Sequence, residues 1–458
     1  MRKPRKSLTM GNLPTVTIIV LNWNGRSYLE ACLEALLDQT HRADEIILVD
    51  NGSTDNSVEL VQTRYPSVKI QENELNLGYA TGNNSALRTL ASEVGVLLNP
   101  DIVVRQNWLE NLLQALARDP SVGITGCKLL FPGEQQLQHA GGFITHPRAM
   151  PAHRGMYDRD EGQFDTPEDV DFVTGAALAV RREVMETAGY LDEGFFMYFE
   201  DADWCARVRR AGFRVRYVPE ATAVHDESAL AVRGSPSYLR RFHGGRWRYL
   251  LKHFDAVEII EKALPAEAAW LSEIEGQERI ALGFAYHDTL KDFPAIMEVR
   301  MVHGASQIKQ ADQVIINTGL LNLRRKSLLW SENPARWQHL AKMGRVKAHP
   351  FRSPTPVLGP LFARLRDIWA RISAKSYIGS LNEQQNAFNQ SLVRELQAVE
   401  EKLREVENKR LTQEADSRAL AWEIKAVQQE IDRAYELLAS IESRLDKSIK
   451  RKDGLDSS

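Results

Sequence analysis

At 458 residues, 43% apolar and 26% charged, the chain has the composition of a soluble globular protein of about two to four units, since domains run ~100–200 residues. Its net charge of −3 excludes the global basic field of a nucleic-acid binder. The lack of any run of ~18 apolar residues argues against a membrane-spanning helix.

The N-terminus is basic (Arg2, Lys3, Arg5, Lys6), but no stretch of signal-peptide length follows it. The apolar run 16–21 is too short for that and reads as a strand. Cys32, Cys127 and Cys205 are scattered, without disulfide or CxxC zinc spacing, so a reducing cytoplasm is expected. After the first strand, Leu29, Leu33, Leu36 and Leu37 recur at helical spacing behind Ser27, an expected N-cap. Residues 45–49 give a second strand ending at Asp50, and Val58, Leu60 and Val61 the next helix, entered through the turn 53–55. Further strands are expected at 68–70 and 94–98. This alternation predicts βαβ units and a mainly parallel sheet, with ligands beyond the carboxyl ends of its strands. Residues 140–170, rich in Gly, Pro and His, read as a long loop. Order returns with a strand at 172–180, helices near 182–188 and 201–210, and strands near 213–218 and 222–225. Residues 257–350 carry no motif that attaches to chemistry.

At 361–375, Leu361, Leu365, Ile368, Trp369 and Ile372 share one face, with Arg364, Arg366, Arg371 and Lys375 among them. Such a helix suits either an anionic membrane surface or packing against the rest of the chain. From Leu396, apolar residues keep alternating three- and four-residue steps, through Leu403 and, after a polar gap, Leu420 to Leu445. Over 380–449 this is the pattern of a coiled coil, and a homo-oligomer is the expected consequence. A helix folded back on its own chain is the other reading.

Polar clusters end three of the first four strands: Asn22, Trp23, Asn24 and Gly25; Asp50, Asn51, Gly52, Ser53, Thr54 and Asp55; and Asn99, Pro100 and Asp101. Each cluster alone also fits a turn, and 50–55 has good turn chemistry. Thr54 or Asp55 is expected to cap the helix that follows. Residues 76–84, with Gly78, Gly82, Asn83 and Asn84, form a glycine-punctuated loop opening a helix, whose amides could face a phosphate. The densest cluster is 190–204, where aromatics adjoin Glu200, Asp201 and Asp203. Rings that stack on a pyranose beside a carboxylate base suit sugar chemistry. The same acids would also complement a helix dipole. His225 alone reads as a satisfied surface histidine.

Taken in order, residues 16–25, 50–55, 76–84, 97–101, Gly175 with Ala176, the 195–203 block and His225 resemble glycosyltransferase family 2, above all its bacterial rhamnosyltransferase-like branch. The resemblance covers about residues 14–250. It implies a GT-A fold, α/β in class, over 14–256, followed by an accessory region at 257–378 and a mostly α C-terminal part ending in the coiled coil. It further implies an inverting transfer from a nucleotide-sugar, linked to dTDP or UDP, to a lipid-linked or polysaccharide acceptor. Asp201 would be the general base, with Glu200 beside it. Asn22, Asn24, Asp50, Asn51, Gly78, Asn83, Asn99 and Gly175 would bind the nucleotide-sugar. Asp101 and His225 would hold a divalent Mg or Mn, weakened because Asn99 stands where the family's acidic motif has its first aspartate. The expected setting is cytoplasmic, peripheral on the inner membrane. A sugar nucleotidyltransferase would need a glycine- and Lys/Arg-rich loop after the first strand, which Asn22 to Arg26 do not supply. The other alternative is a catalytically weak sugar-nucleotide-binding scaffold organised by its coiled coil.

Overall fold

The fold is that of a computed structural model, which describes residues 13–226, 234–303 and 305–328. The basic helix at 361–375 and the coiled coil at 380–449 lie outside the described residues.

The first half alternates as its sequence predicts: β1 (Val16–Asn22), α1 (Arg26–Leu37), β2 (Glu45–Asp50), α2 (Ser57–Arg64), β3 (Lys69–Glu72), α3 (Gly78–Leu87) and β4 (Val94–Leu98). β1 is a β-branched run buried on both faces. Val16, Ile18 and Val20 pack under α1 with Leu29, Leu33 and Leu36, while Ile19 enters the opposite core. This period-two division is what a central parallel strand between two helical layers requires. β1 pairs in parallel with β2 and with β4, and β2 with β3.

Beyond β4 the chain runs through β5 (Ile102–Val104), α4 (Trp108–Arg118), β6 (Val122–Leu130), β7 (Leu137–His139), β8 (Gly142–Thr145), β9 (Met150–His153), β10 (Glu168–Asp169), β11 (Ala177–Arg181), α5 (Arg182–Ala188), α6 (Glu200–Arg210) and β12 (Arg214–His225). The sheet order is β10-β12-β6-β11-β4-β1-β2-β3, with β5 on β12 and β7 on β6. β11 runs antiparallel to both β4 and β6, and β10 and β5 run antiparallel to β12. The sheet is therefore mixed, which corrects the expectation of a mainly parallel one. A mixed, helix-flanked sheet of this kind is GT-A-like. Residues 140–170 are no plain loop either: β8 and β9 form a two-stranded sheet, and Lys128 reaches from β6 to ion-pair with Asp160 and Asp165.

A helical region completes the compact unit, which extends to Ser327. It comprises α7 (Pro236–His253), α8 (Ala256–Glu258), a π-helical stretch (Ile259–Ala263), α9 (Leu264–Glu273), α10 (Gly276–Val302) and α11 (Gln310–Leu328). Ile259, Leu271, Leu282, Tyr286 and Leu320 share one core with Ile19 of β1 and with Val208 of α6. Among the described residues, no helix is long and apolar enough to cross a membrane.

Candidate active site

The carboxyl ends of β1, β2 and β4 lie side by side because register pairs Asn22 with Asp50 and Val20 with Leu98. Asp50 is buried and builds this edge. Its Oδ1 accepts from Asn22 Nδ2 at 2.8 Å and from the Ser53 hydroxyl at 2.6 Å, and its Oδ2 from the Ser53 N–H at 2.8 Å. With about four lone-pair sites on a carboxylate, Oδ2 keeps acceptor capacity beyond its one donor among the described residues. Asn22 Oδ1 accepts from Gly25 N–H, and Asn24, at positive φ (53°), accepts from Thr54 N–H at 2.8 Å. Asn51 donates to the Gly78 carbonyl at 3.0 Å, tying the β2 tip to α3. One local cap differs from expectation: Ser27 lies inside α1, whose N-cap is Gly25. At the start of α2 the N-cap position is Asn56, and Asp55, one of the two residues expected to cap it, receives the Ser57 N–H.

At the start of α3, Gly78 N–H donates to Asn76 Oδ1 at 2.9 Å and Tyr79 N–H to the Phe196 carbonyl at 2.6 Å, so these two amides are already engaged within the protein. Gly78 has φ +82°, and a Cβ there would lie 2.5 Å from the Phe196 carbonyl oxygen. Its place is a close approach between α3 and the 195–199 segment. Asn83 is buried and donates to Tyr79 O at 3.0 Å; its Oδ1 finds no partner among the described residues.

Beyond β4, Asn99 N–H donates to the Ala176 carbonyl at 2.8 Å, which brings Gly175 and Ala176 against the Asn99–Asp101 turn. β5 and β12 pair His225 with Ile102, and the Asp226 N–H donates to the Asp101 carbonyl at 3.1 Å. His225 and Asp101, distant in sequence, thus become neighbours. His225 Nε2 stands 3.4 Å from Asp101 Oδ1, both side chains are buried, and that oxygen has no hydrogen-bond partner among the described residues. One carboxylate oxygen and one imidazole nitrogen facing a common point, with other positions left to phosphate and water, fit a divalent cation.

Asp201 sits in the first turn of α6. Its Oδ2 accepts from Gly175 N–H at 2.9 Å and its Oδ1 from Ala202 N–H at 2.7 Å. The first of these ties it to the Asn99–Asp101 turn through Gly175. Burial pushes its carboxyl up, while the N–H groups of Gly175 and Ala202 hold it partly down. Glu200 beside it is pushed well above the ordinary range, by burial first and then by the charge of Asp201, and its Oε2 is unpartnered among the described residues. A like charge beside a carboxyl with no cation nearby raises it in this way. The pair follows a strained elbow in which Tyr198 and Phe199 both adopt positive φ (74° and 72°).

The remaining acids of the 190–204 cluster go elsewhere. Asp203 ion-pairs with Arg207 at 2.9 Å and Lys252 at 2.5 Å and accepts from His253 Nε2 at 2.8 Å, and Asp192 ion-pairs with Arg248 at 2.9 Å and Lys252 at 2.6 Å. Burial alone would raise Asp203; Lys252 and Arg207, then His253, more than offset it and hold the carboxyl well below the usual range. Asp192, Asp203 and His303 offer ligand atoms within 4.8 Å of one another. A cation there would compete with Lys252, which already touches both carboxylates, so this group reads as an ion-pair network.

The sequence reading did not single out Gln138, Tyr79 or Thr174. Tyr79 donates its hydroxyl to the Gly175 carbonyl, Thr174 N–H donates to His139 Nε2 at 3.3 Å, and Gln138 holds His225. Tyr79 and Gln138 stand beside residues that did attract notice, Gly78 and the histidine-rich 140–170 segment, and that adjacency was the signal.

Residues 17–189 match the model of Glycosyl transferase family 2, and the relatives that the chain resembles are glycosyltransferases. It is similar to N-acetylglucosaminyl-diphospho-decaprenol L-rhamnosyltransferase of Mycobacterium tuberculosis, 28% identical over 261 residues, covering 51% of this chain and 83% of that one. It also matches an O-antigen biosynthesis protein, RfbC, of Myxococcus xanthus, 33% identical over 233 residues but covering only 18% of that longer protein and 47% of this one. Among solved structures, GalNAc-T7 with UDP, GalNAc and Mn2+ aligns with a TM-score of 0.48 at 15% identity, over 65% of this chain and 55% of that one.

Proposed function

We propose that the chain moves a deoxyhexose, rhamnose, from a dTDP- or UDP-linked donor to a hydroxyl of a growing cell-surface glycan, with inversion at the anomeric carbon. The observation that carries this reading is the hydrogen bond from Gly175 to Asp201. It hangs a carboxylate that has no ion-pair partner among the described residues from the same sheet edge that holds Asn99, Asp101 and Asp50. Asp201 takes the proton of the acceptor hydroxyl as that oxygen bonds to the anomeric carbon. The bond to the diphosphate breaks on the opposite face, which inverts the centre. A base serves best with a pKa near the working pH, and the burial of Asp201 moves it in that direction. Glu200, keeping its proton, spares Asp201 a second negative charge.

Asp50, through its Oδ2, with Asn22, Asn24, Asn51, Asn83 and Asn99 around it, receives the nucleotide part of the donor. Asp101 and His225 would hold a Mg or Mn ion, which when bound supplies positive charge to the departing diphosphate. The name of the mycobacterial relative supports an acceptor in which N-acetylglucosamine is carried on a polyprenyl diphosphate. The protein would then work from the cytoplasm against the inner membrane, as a homo-oligomer if its heptads pair.

The test is a panel of dTDP-rhamnose, UDP-glucose, UDP-N-acetylglucosamine and GDP-mannose, each with a short-chain polyprenyl-diphosphate N-acetylglucosamine, with and without Mn2+. Transfer from dTDP-rhamnose alone, giving a product of inverted anomeric configuration by NMR, is expected. Transfer from another donor, or retained configuration, overturns the reading.

A further inference from the structure

Two buried side chains of β7 outside the acidic motifs reach the site: His139, at Thr174, and Gln138, at His225. Gln138 reaches past the end of β6 to His225, with its Oε1 2.6 Å from Nδ1 and its Nε2 donating to the His225 backbone carbonyl at 3.5 Å. The two contacts fix the amide orientation. A carbonyl oxygen only accepts, so the NH2 group must face it, and the amide oxygen is left against Nδ1. An amide oxygen also only accepts, so Nδ1 must carry the proton. In the neutral ring, Nε2 is then the bare nitrogen, and it is Nε2 that stands 3.4 Å from the unpartnered Asp101 Oδ1.

We propose that Gln138 is a positioning residue that locks His225 in the Nδ1–H tautomer and so presents Nε2 together with Asp101 Oδ1 as a preformed half-site for the divalent cation. The inference rests on the metal role given above to Asp101 and His225, and adds the group that orients one of them. A metal-bound imidazole needs a fixed tautomer and ring plane, and loss of the partner on its other nitrogen typically weakens metal affinity by about 10–100-fold. Without Gln138, the ring is able to place its proton on Nε2, where it would donate to Asp101 and close the half-site. Gln138 touches neither donor nor acceptor in this scheme; it acts only through His225.

The experiment is a titration of the full chain with Mn2+ in the presence of dTDP, with free ion counted by electron paramagnetic resonance. The variants are Gln138→Leu, Gln138→Glu and His225→Ala, each checked by circular dichroism. Gln138→Leu should weaken Mn2+ binding by about 10–100-fold, close to the loss seen with His225→Ala. Gln138→Glu, which keeps an acceptor against Nδ1, should stay within a few-fold of the native chain. If Gln138→Leu does not fold, Gln138→Asn, one methylene too short to reach Nδ1, replaces it with the same expectation. Native affinity in Gln138→Leu or Gln138→Asn, alongside weakened binding in His225→Ala, overturns the role of Gln138 and leaves the metal reading standing. Native affinity in His225→Ala overturns both.

Discussion

Helix α6 opens on three acids that meet opposite fates within one turn. Glu200 and Asp201 face the sheet edge, where Asp201 meets the N–H groups of Gly175 and Ala202 and the Thr174 side chain but no cation among the described residues, and both carboxyls are raised. Asp203, two residues on, points into the layer between α6 and α7, and Lys252, Arg207 and His253 hold it well below the usual range. Asp203 is fully buried, Asp201 partly, and both feel the same helix dipole, so burial alone would raise Asp203 the more. What reverses this is the cation supply of the facing element. α7 brings Lys252 and Arg248 to Asp192 and Asp203 and brings no ion-pair partner to Asp201 among the described residues. One pole is poised to gain a proton and the other is built to keep its charge.

The strongest way to break this contrast is Asp201→Asn. Transfer should fall by about 10²–10⁴-fold, the range of a lost general base, while dTDP binding by calorimetry is retained. The melting midpoint should stay level or rise, because a partly buried charge beside Glu200 is gone. Unchanged turnover would remove Asp201 from the mechanism. Lys252→Met attacks the other pole. It leaves Asp192 and Asp203 under-compensated, and breaking a buried pair this way costs about 3–5 kcal/mol by denaturant unfolding. Turnover per folded molecule should hold at low temperature, and adding Asp203→Asn should recover part of the loss. A loss below 1 kcal/mol would mean that the network is dispensable.

Acidity sharpens the contrast further, because the two poles have opposite signs. Asp192 and Asp203 are depressed in the fold, so their contribution is present above the ordinary aspartate pKa of 3.8 and is lost as pH falls through their folded values. Glu200 and Asp201 are raised, so theirs is fully present below the unfolded values and is lost as pH rises through the folded ones. Stability should therefore drop at both limits, and Glu200→Gln should remove much of the loss on the alkaline side alone. In kcat/KM the acid limb should lie above 3.8, since Asp201 must lose its proton to serve as base. Denaturation curves and rates measured across pH check each limb.

These two poles also show what was legible in the sequence. Strand-end clusters such as Asn22–Gly25 and Asn99–Asp101 were readable because turn residues after β-branched runs mark the carboxyl edge of a sheet. The division between Asp201 and Asp203 was not, because Lys252 stands about fifty positions away and its approach depends on how α7 packs. The helical layer was silent for a related reason. Arg246, Lys252, Glu267 and Arg300 are buried there, and Arg246 pairs with Glu267. Charged residues on inward faces erase the apolar periodicity from which helices are read. The mixed sheet was missed because β11 is a short apolar strand whose direction no local signal records.

The smallest effect tests how α7 serves both poles at once. Gly244 and Gly245 are adjacent in that helix, and each would ordinarily cost about 1 kcal/mol relative to alanine. A Cβ on Gly244 meets nothing within 4 Å, whereas one on Gly245 would lie 2.6 Å from the Tyr198 carbonyl oxygen. That carbonyl belongs to the strained elbow, Tyr198 and Phe199, that delivers Glu200 and Asp201. Gly244→Ala should raise stability by up to about 1 kcal/mol and leave turnover alone. Gly245→Ala should forgo that gain and lower kcat several-fold with little change in dTDP affinity, because the elbow must shift to admit the methyl group. Equal behaviour of the two variants would mean that the helix does not set the position of the acids, and that the elbow is held by the 195–199 segment and α3 alone.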